Sequence, residues 1–159
     1  GQRVSFFFKE TGTTGIYTLS LHEALPILEI VDETLDLGMR AQELDATDPQ
    51  GYWEMAVVRM WRGDLDRAAA EIERAIALEP NLAVAHAIRG NILGYAGRSA
   101  EAVEILQTAM RLDPQYPDLY LHILGHSHLL AGNYEAAAEN LTRRIRQIGR
   151  AHVCTPVTS

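Results

Sequence analysis

The stretch Gly63-Asp64-Leu65-Asp66-Arg67-Ala68-Ala69-Ala70-Glu71-Ile72-Glu73-Arg74-Ala75-Ile76-Ala77-Leu78-Glu79-Pro80 has a counterpart thirty-four residues later. That counterpart is Gly97-Arg98-Ser99-Ala100-Glu101-Ala102-Val103-Glu104-Ile105-Leu106-Gln107-Thr108-Ala109-Met110-Arg111-Leu112-Asp113-Pro114. Gly63, Ala68, Ala75 and Pro80 recur as Gly97, Ala102, Ala109 and Pro114, each displaced by 34. A third copy sets Gly132 and Ala137 a further 35 residues on, the additional residue falling in Gln115-Tyr116-Pro117. A fixed period of this length marks an array in which each unit buries its apolar face only against its neighbours. Within the units the apolar residues fall three and four apart (Leu65, Ala68, Ala69, Ile72, Ala75, Ile76; then Ala102, Val103, Leu106, Ala109, Met110), the spacing of an amphipathic helix.

Each unit reads as two helices. First helices are predicted over 49–62, 82–96 and 118–131, and second helices over 65–78, 100–112 and 134–147. Gly63-Asp64, Gly97-Arg98-Ser99 and Gly132-Asn133 each set a glycine past one helix and a capping side chain before the next. Asp48 before Pro49 and Asn81 after Pro80 suit helix starts. The repeats are therefore bounded as 49–80, 83–114 and 118–147. Residues 28–46 read as a half repeat, one further second-type helix with Ile30, Thr34, Leu37, Ala41 and Leu44 on a common face. An array that starts mid-repeat leaves apolar surface uncovered at its ends, which allows self-association there.

This pattern resembles the tetratricopeptide repeat. The residues that carry the likeness are Tyr52, Ala56, Gly63, Ala68, Ile72, Ala75 and Pro80 in the first unit. In the second they are His86, Gly90, Gly97, Ala102, Leu106, Ala109 and Pro114, and in the third Leu121, Gly125, Gly132, Tyr134, Ala137 and Leu141. Arg59 departs from the usual aromatic, His86 stands in for Trp, and Arg144 replaces the late Ala. The resemblance implies an all-α fold, an α-solenoid of stacked antiparallel hairpins, with a concave groove that binds a partner peptide or domain. It assigns to that groove Trp53, Val57, Met60 and Trp61 from the first unit, Ala87, Asn91 and Tyr95 from the second, and His122, His126 and Leu129 from the third. The alternative for the two tryptophans is packing against a neighbouring repeat. Members that clamp a C-terminal carboxylate use Lys, Asn and Arg on this face. Only Asn91 matches in kind, so a clamp is not expected.

The chain has 159 residues, 47% apolar and 22% charged, with 14 Lys and Arg against 21 Asp and Glu, net −7. That balance argues against a nucleic-acid binder working through a basic face and against electrostatic attachment to a membrane. One cysteine, Cys154, cannot form an internal disulfide. Residues 28–147 hold eleven Arg and nineteen acids, net −8, while the single Lys (Lys9), all three Phe and Cys154 lie outside them. Both composition breaks coincide with another likeness. Ile16-Tyr17-Thr18-Leu19-Ser20-Leu21-His22-Glu23-Ala24-Leu25-Pro26-Ile27 and Ile148-Gly149-Arg150-Ala151-His152-Val153-Cys154-Thr155-Pro156-Val157-Thr158 resemble conceptual translations of short-read sequencing adapters. Residues 1–27 and 148–159 are accordingly expected to be non-native flanks with little packed structure.

The chemistry of catalysis is not expected. His122 and His126 sit one helical turn apart, but Ile123, Leu124 and Gly125 stand between them and no nearby Cys or acid completes a ligand set, so no metal or other cofactor is expected. Glu71 with Glu73 and Asp64 with Asp66 read as solvated surface and helix-dipole complement. Gly90, Gly94 and Gly97 follow no strand, so they form no phosphate loop. The expected role is a cytoplasmic protein-interaction scaffold, not an enzyme. A second reading comes from Leu112-Asp113-Pro114-Gln115-Tyr116-Pro117-Asp118-Leu119-Tyr120-Leu121, which resembles the repeat region of bacterial class III adenylate and guanylate cyclases; related runs follow winged-helix regulators. It implies a regulatory segment of a bacterial signalling protein.

Overall fold

The computed structural model describes residues 3–7 and 16–153, with side chains described for residues 30–149. Expectations for residues 8–15 and 154–159, Cys154 included, lie outside the described residues. Seven helices follow one another: α1 (Leu21–Leu44), α2 (Pro49–Trp61), α3 (Leu65–Leu78), α4 (Ala83–Tyr95), α5 (Ser99–Leu112), α6 (Asp118–Leu130) and α7 (Tyr134–Val153). They match the predicted first and second helices to within a residue from Pro49 to the start of α7.

The ends differ from expectation. In place of a flank with little structure, Arg3–Phe7 (β1) and Ile16–Ser20 (β2) pair antiparallel, Arg3 opposite Ser20 and Phe7 opposite Ile16. Val4, Phe6, Phe7, Ile16, Tyr17 and Thr18 are the aromatic and β-branched residues that suit a pleated backbone. Helix α1 begins at Leu21, before position 28, and α7 runs on to Val153. Gly149 lowers helix propensity by about 1 kcal/mol, which does not outweigh a helix already propagating.

The turns repeat as faithfully as the helices. Gly63, Gly97 and Gly132 all have positive φ, at 84°, 79° and 79°. Each donates its N–H three residues back, to the carbonyls of Met60, Gly94 and Leu129, and the next residue donates five back, to Arg59, Leu93 and His128. This double closure satisfies the orphan carbonyls of the first helix and reverses the chain in two residues. An L side chain here is strained by about 1–2 kcal/mol. Gly97→Ala is therefore expected to lower stability by about that amount in a chemical melt, with helicity otherwise unchanged; no loss would mean that the turn relaxes to another form.

Two of the expected caps are corrected. Asp48 accepts from Gln50 N at 2.9 Å and Asp64 from Arg67 N at 3.3 Å, as capping requires. Asn81, however, lies one residue outside the cap position, which Leu82 fills with no side-chain hydrogen bond. Ser99 is the first residue of α5 and not its cap; Arg98 occupies that position and binds Glu101 through two hydrogen bonds of 2.6 and 2.7 Å.

Among the described residues two clusters make up the core, one drawn from α2, α3 and α4 and the other from α4, α5 and α6. Ala56, Met60, Ala68, Ile72, Ala75, Ala85, Ile88 and Ile92 form the first. Ala87, Leu106, Ala109, Tyr120, Ile123 and Leu124 form the second. A Cβ on Gly90 would lie 2.7 Å from Leu106 Cγ, and one on Gly125 2.8 Å from Leu141 Cγ. Glycine at those two positions lets the bulky side chain of the second helix lie directly on the backbone of the first.

Each departure from the repeat pattern has a polar partner. Arg59 Nε donates to Glu71 Oε1 at 3.1 Å, and Gln42 Nε2 donates to Glu71 Oε2 at 3.0 Å, so one carboxylate joins α1, α2 and α3. Glu71 is thus mostly buried and paired, not the solvated acid its spacing suggests. His86 Nε2 lies 2.8 Å from the carbonyl of Pro80, and Arg144 Nε donates to Asp118 Oδ2 at 3.0 Å.

Candidate binding groove

Helix contacts define the curvature. Every helix touches its neighbours in sequence, and α2 touches α4, which touches α6. Among the described residues the backbones of α1, α3, α5 and α7 make no close approach to one another, and α1 reaches α3 through the Gln42–Glu71 hydrogen bond. The first helices therefore crowd together on the inner side and the second helices fan apart on the outer side, making α2, α4 and α6 the lining of a concave face.

On that face Tyr95 is 44% exposed, and its ring centroid lies 6.1 Å from that of His126, on the next repeat. His126 lies in turn 6.4 Å from His122, the rings nearly parallel at 14°. A Cβ on Gly94 would stand 3.4 Å from Ser127 Oγ, so α4 and α6 are in van der Waals contact at that point. Trp61 is exposed, Asn91 and Leu129 are half-buried, and Trp53 and Val57 are half-buried against the first core cluster. The two remaining groove assignments are corrected. Met60 is buried among Ile72, Ile88 and Ile92, and Ala87 is fully buried beneath Tyr120 and Leu124. Both side chains turn toward the neighbouring helices, because position along a helix fixes a face only to within its width.

The electrostatics of the column are quiet. Burial, then Arg144, then His126 hold the His122 imidazole below the usual histidine range, while Asp118 pulls weakly the other way. The column itself is built of phenol and imidazole rings. The Asp118–Arg144 pair beside His122 was not foreseen from sequence; its one signal is an arginine where the repeat pattern has alanine. Among the described residues no group of three or more His, Cys, Asp or Glu could hold a metal ion. His128 faces away from the column, its Nδ1 buried with no hydrogen-bond partner. A cleft of about 160 Å³ between α3, α4 and α5 lies away from the groove, its lining including the Arg89–Glu73 ion pair at 2.9 Å. No helix among the described residues is long and apolar enough to cross a membrane.

Comparison with known proteins agrees with this geometry. Residues 83–116 match the tetratricopeptide repeat family. The chain is 29% identical over 106 residues to the DnaJ homolog subfamily C member 7 homolog of Schizosaccharomyces pombe, covering 58% of this chain and 22% of that protein. It is 26% identical over 120 residues to lipopolysaccharide assembly protein B of Escherichia coli, covering 76% of this chain and 30% of that one. It thus spans less than a third of either relative's length. Among solved structures, MamA 41-end from Desulfovibrio magneticus RS-1 superposes with a TM-score of 0.64 at 20% identity, over 80% of this chain and 71% of that chain. An O-GlcNAc transferase mutant of Thermobaculum terrenum gives 0.58 at 22% identity, over 62% and 19%. Residues 83–116 are a tetratricopeptide repeat, and the helical hairpins around them build the solenoid fold of tetratricopeptide-repeat proteins.

Proposed function

We propose that the chain is a protein-interaction scaffold that holds an extended or helical partner segment along α2, α4 and α6, without catalysis of its own. The observation that carries this reading is the contiguous ring column Tyr95–His126–His122, which joins α4 to α6 across two repeats, with half-buried Trp53 and Asn91 on the first helices α2 and α4. Aromatic side chains fixed on rigid helices bury much area at little entropic loss, which is the usual make-up of a binding hot spot. With neither Lys nor an unpaired Arg assigned to the lining, the segment that fits is uncharged and rich in Leu, Met or aromatic residues, not a C-terminal carboxylate. The reading uses residues 49–130 and makes no demand on residues 1–27 or 148–159, whose likeness to adapter-encoded sequence stands as a separate reading. In a longer bacterial parent of the cyclase type, the same groove would serve as a regulatory docking site in the cytoplasm.

The test is a titration of end-blocked peptides, one set apolar and neutral and one acidic, against the full chain. Neutral peptides are expected to bind, and Tyr95→Ala and Trp53→Ala are each expected to weaken them about tenfold or more. Acidification has a definite sign. The unfolded chain takes a proton on His122 near the ordinary value of 6.5 and the folded chain only below it, so stability present above 6.5 declines as pH falls through that window. In the same window the groove gains charge at His122, beside His126, Tyr95, Asp118 and Arg144, and its preference moves from neutral toward acidic peptides. Binding unmoved by both alanine variants would remove the groove from the account.

A further inference from the structure

We propose that the cleft between α3, α4 and α5 is a second binding site, on the outer side of the array, that receives an arginine side chain from a partner protein. The cleft opens where α3 and α5 fan apart over α4, with described helices on both sides of it. Its floor is Ile72 and Ile92, both buried, and its walls include Ala69, Leu93 and Ile105. Its volume of about 160 Å³ is below that of a pocket for a small-molecule ligand and suits one long side chain. The repeat register shows why the space is there. Thirty-four residues before Ala69, Leu93 and Ile105 stand Leu35, Arg59 and Glu71. In that earlier repeat Leu35 is buried and Arg59 binds Glu71 at 3.1 Å. The second repeat has lost the arginine, its acceptor and the larger leucine, and keeps apolar walls in their place.

Charge selects the occupant. The rim holds Glu73, Glu101 and Glu104 against Arg89 and Arg98. Arg89 binds Glu73 at 2.9 Å and Arg98 binds Glu101 at 2.6 Å, so both guanidiniums are matched. The exposed Glu104 carboxylate has no ion-pair or hydrogen-bond partner among the described residues. The unmatched charge beside the apolar cleft is therefore negative. An arginine answers both features: its methylenes lie on Leu93 and Ile105, and its weakly hydrated head stays at the wet rim beside Glu104. An acidic side chain would meet Glu104 as a like charge.

The probe is N-acetyl-arginine amide, which presents the side chain as a polypeptide does, titrated into the full chain with the isoleucine methyls followed by NMR. Shifts are expected at Ile72, Ile92 and Ile105 and not at Ile123, with half-saturation in the millimolar range. N-acetyl-citrulline amide, of the same shape without the charge, is expected to bind about fivefold more weakly, and Glu104→Gln to weaken the arginine probe by a similar factor. Ala69→Leu restores the residue of the earlier repeat and is expected to abolish the shifts, while Tyr95→Ala, in the concave groove, leaves them unchanged. The inference is overturned if these methyls do not move at tens of millimolar probe, or if citrulline binds as well as arginine. Shifts that survive Ala69→Leu but vanish in Tyr95→Ala would place the arginine in the concave groove and overturn it as well.

Discussion

Leu106→Ala is expected to lower stability by about 2–5 kcal/mol, the range for emptying a fully buried leucine site. Leu106 has no exposed surface and packs among Ala87, Ala109, Tyr120, Ile123 and Leu124. It also lies on the Gly90 backbone, so it fastens its own hairpin and the joint to the next repeat together. In a nearly one-dimensional array such a joint has no bypass, because each unit touches only its neighbours. A urea titration followed by circular dichroism checks this: the midpoint should drop sharply for Leu106→Ala and move little for Leu106→Met, which conserves volume. A loss below about 1 kcal/mol for the alanine variant would mean that the second cluster collapses to fill the space.

Glu71→Ala is the second large effect, expected at about 2–3 kcal/mol. The pair Arg59–Glu71 is 13% and 17% exposed, short of full burial, so the figure is set below that for a wholly buried ion pair. Removing the carboxylate leaves the Arg59 guanidinium and the Gln42 amide without their acceptor at the meeting of three helices. The paired replacement Arg59→Met with Glu71→Met removes charge and acceptor together and is expected to recover most of the loss. A double-mutant cycle separates the two cases: a coupling energy near zero would show that the ion pair is incidental to the junction.

The fold was legible because its information is periodic. Gly63, Gly97 and Gly132 return the same left-handed turn, and Ala68, Ala102 and Ala137 the same close crossing, so each position is read three times. The groove was less legible, because a helix face is about as wide as a third of its circumference. Trp53, Ala87 and His122 hold the same register position, yet the short Ala87 is fully buried while the rings of Trp53 and His122 reach outward, so side-chain length and local packing, which spacing does not give, decide what is accessible. The polar network was hidden for a different reason. Glu71 lies twelve residues from Arg59 and twenty-nine from Gln42, and no local spacing rule links them. Taken with Glu73, Glu71 looked like ordinary solvated surface. Strand β2 sits in residues that resemble adapter-encoded sequence and β1 in the flank before them, where little packed structure is expected, yet their β-branched and aromatic content is that of a hairpin.

A stack of plates stitched along one margin opens like a fan. Because α2, α4 and α6 touch while α3, α5 and α7 do not, the inner margin is the stiff hinge line and the outer margin has slack. Tension along the rod would first be taken up by changes in pitch and not by rupture of a hairpin, and a molecule lying along the hinge line would set that pitch. On the proposed reading the array would act as a spring whose rest length a bound segment resets.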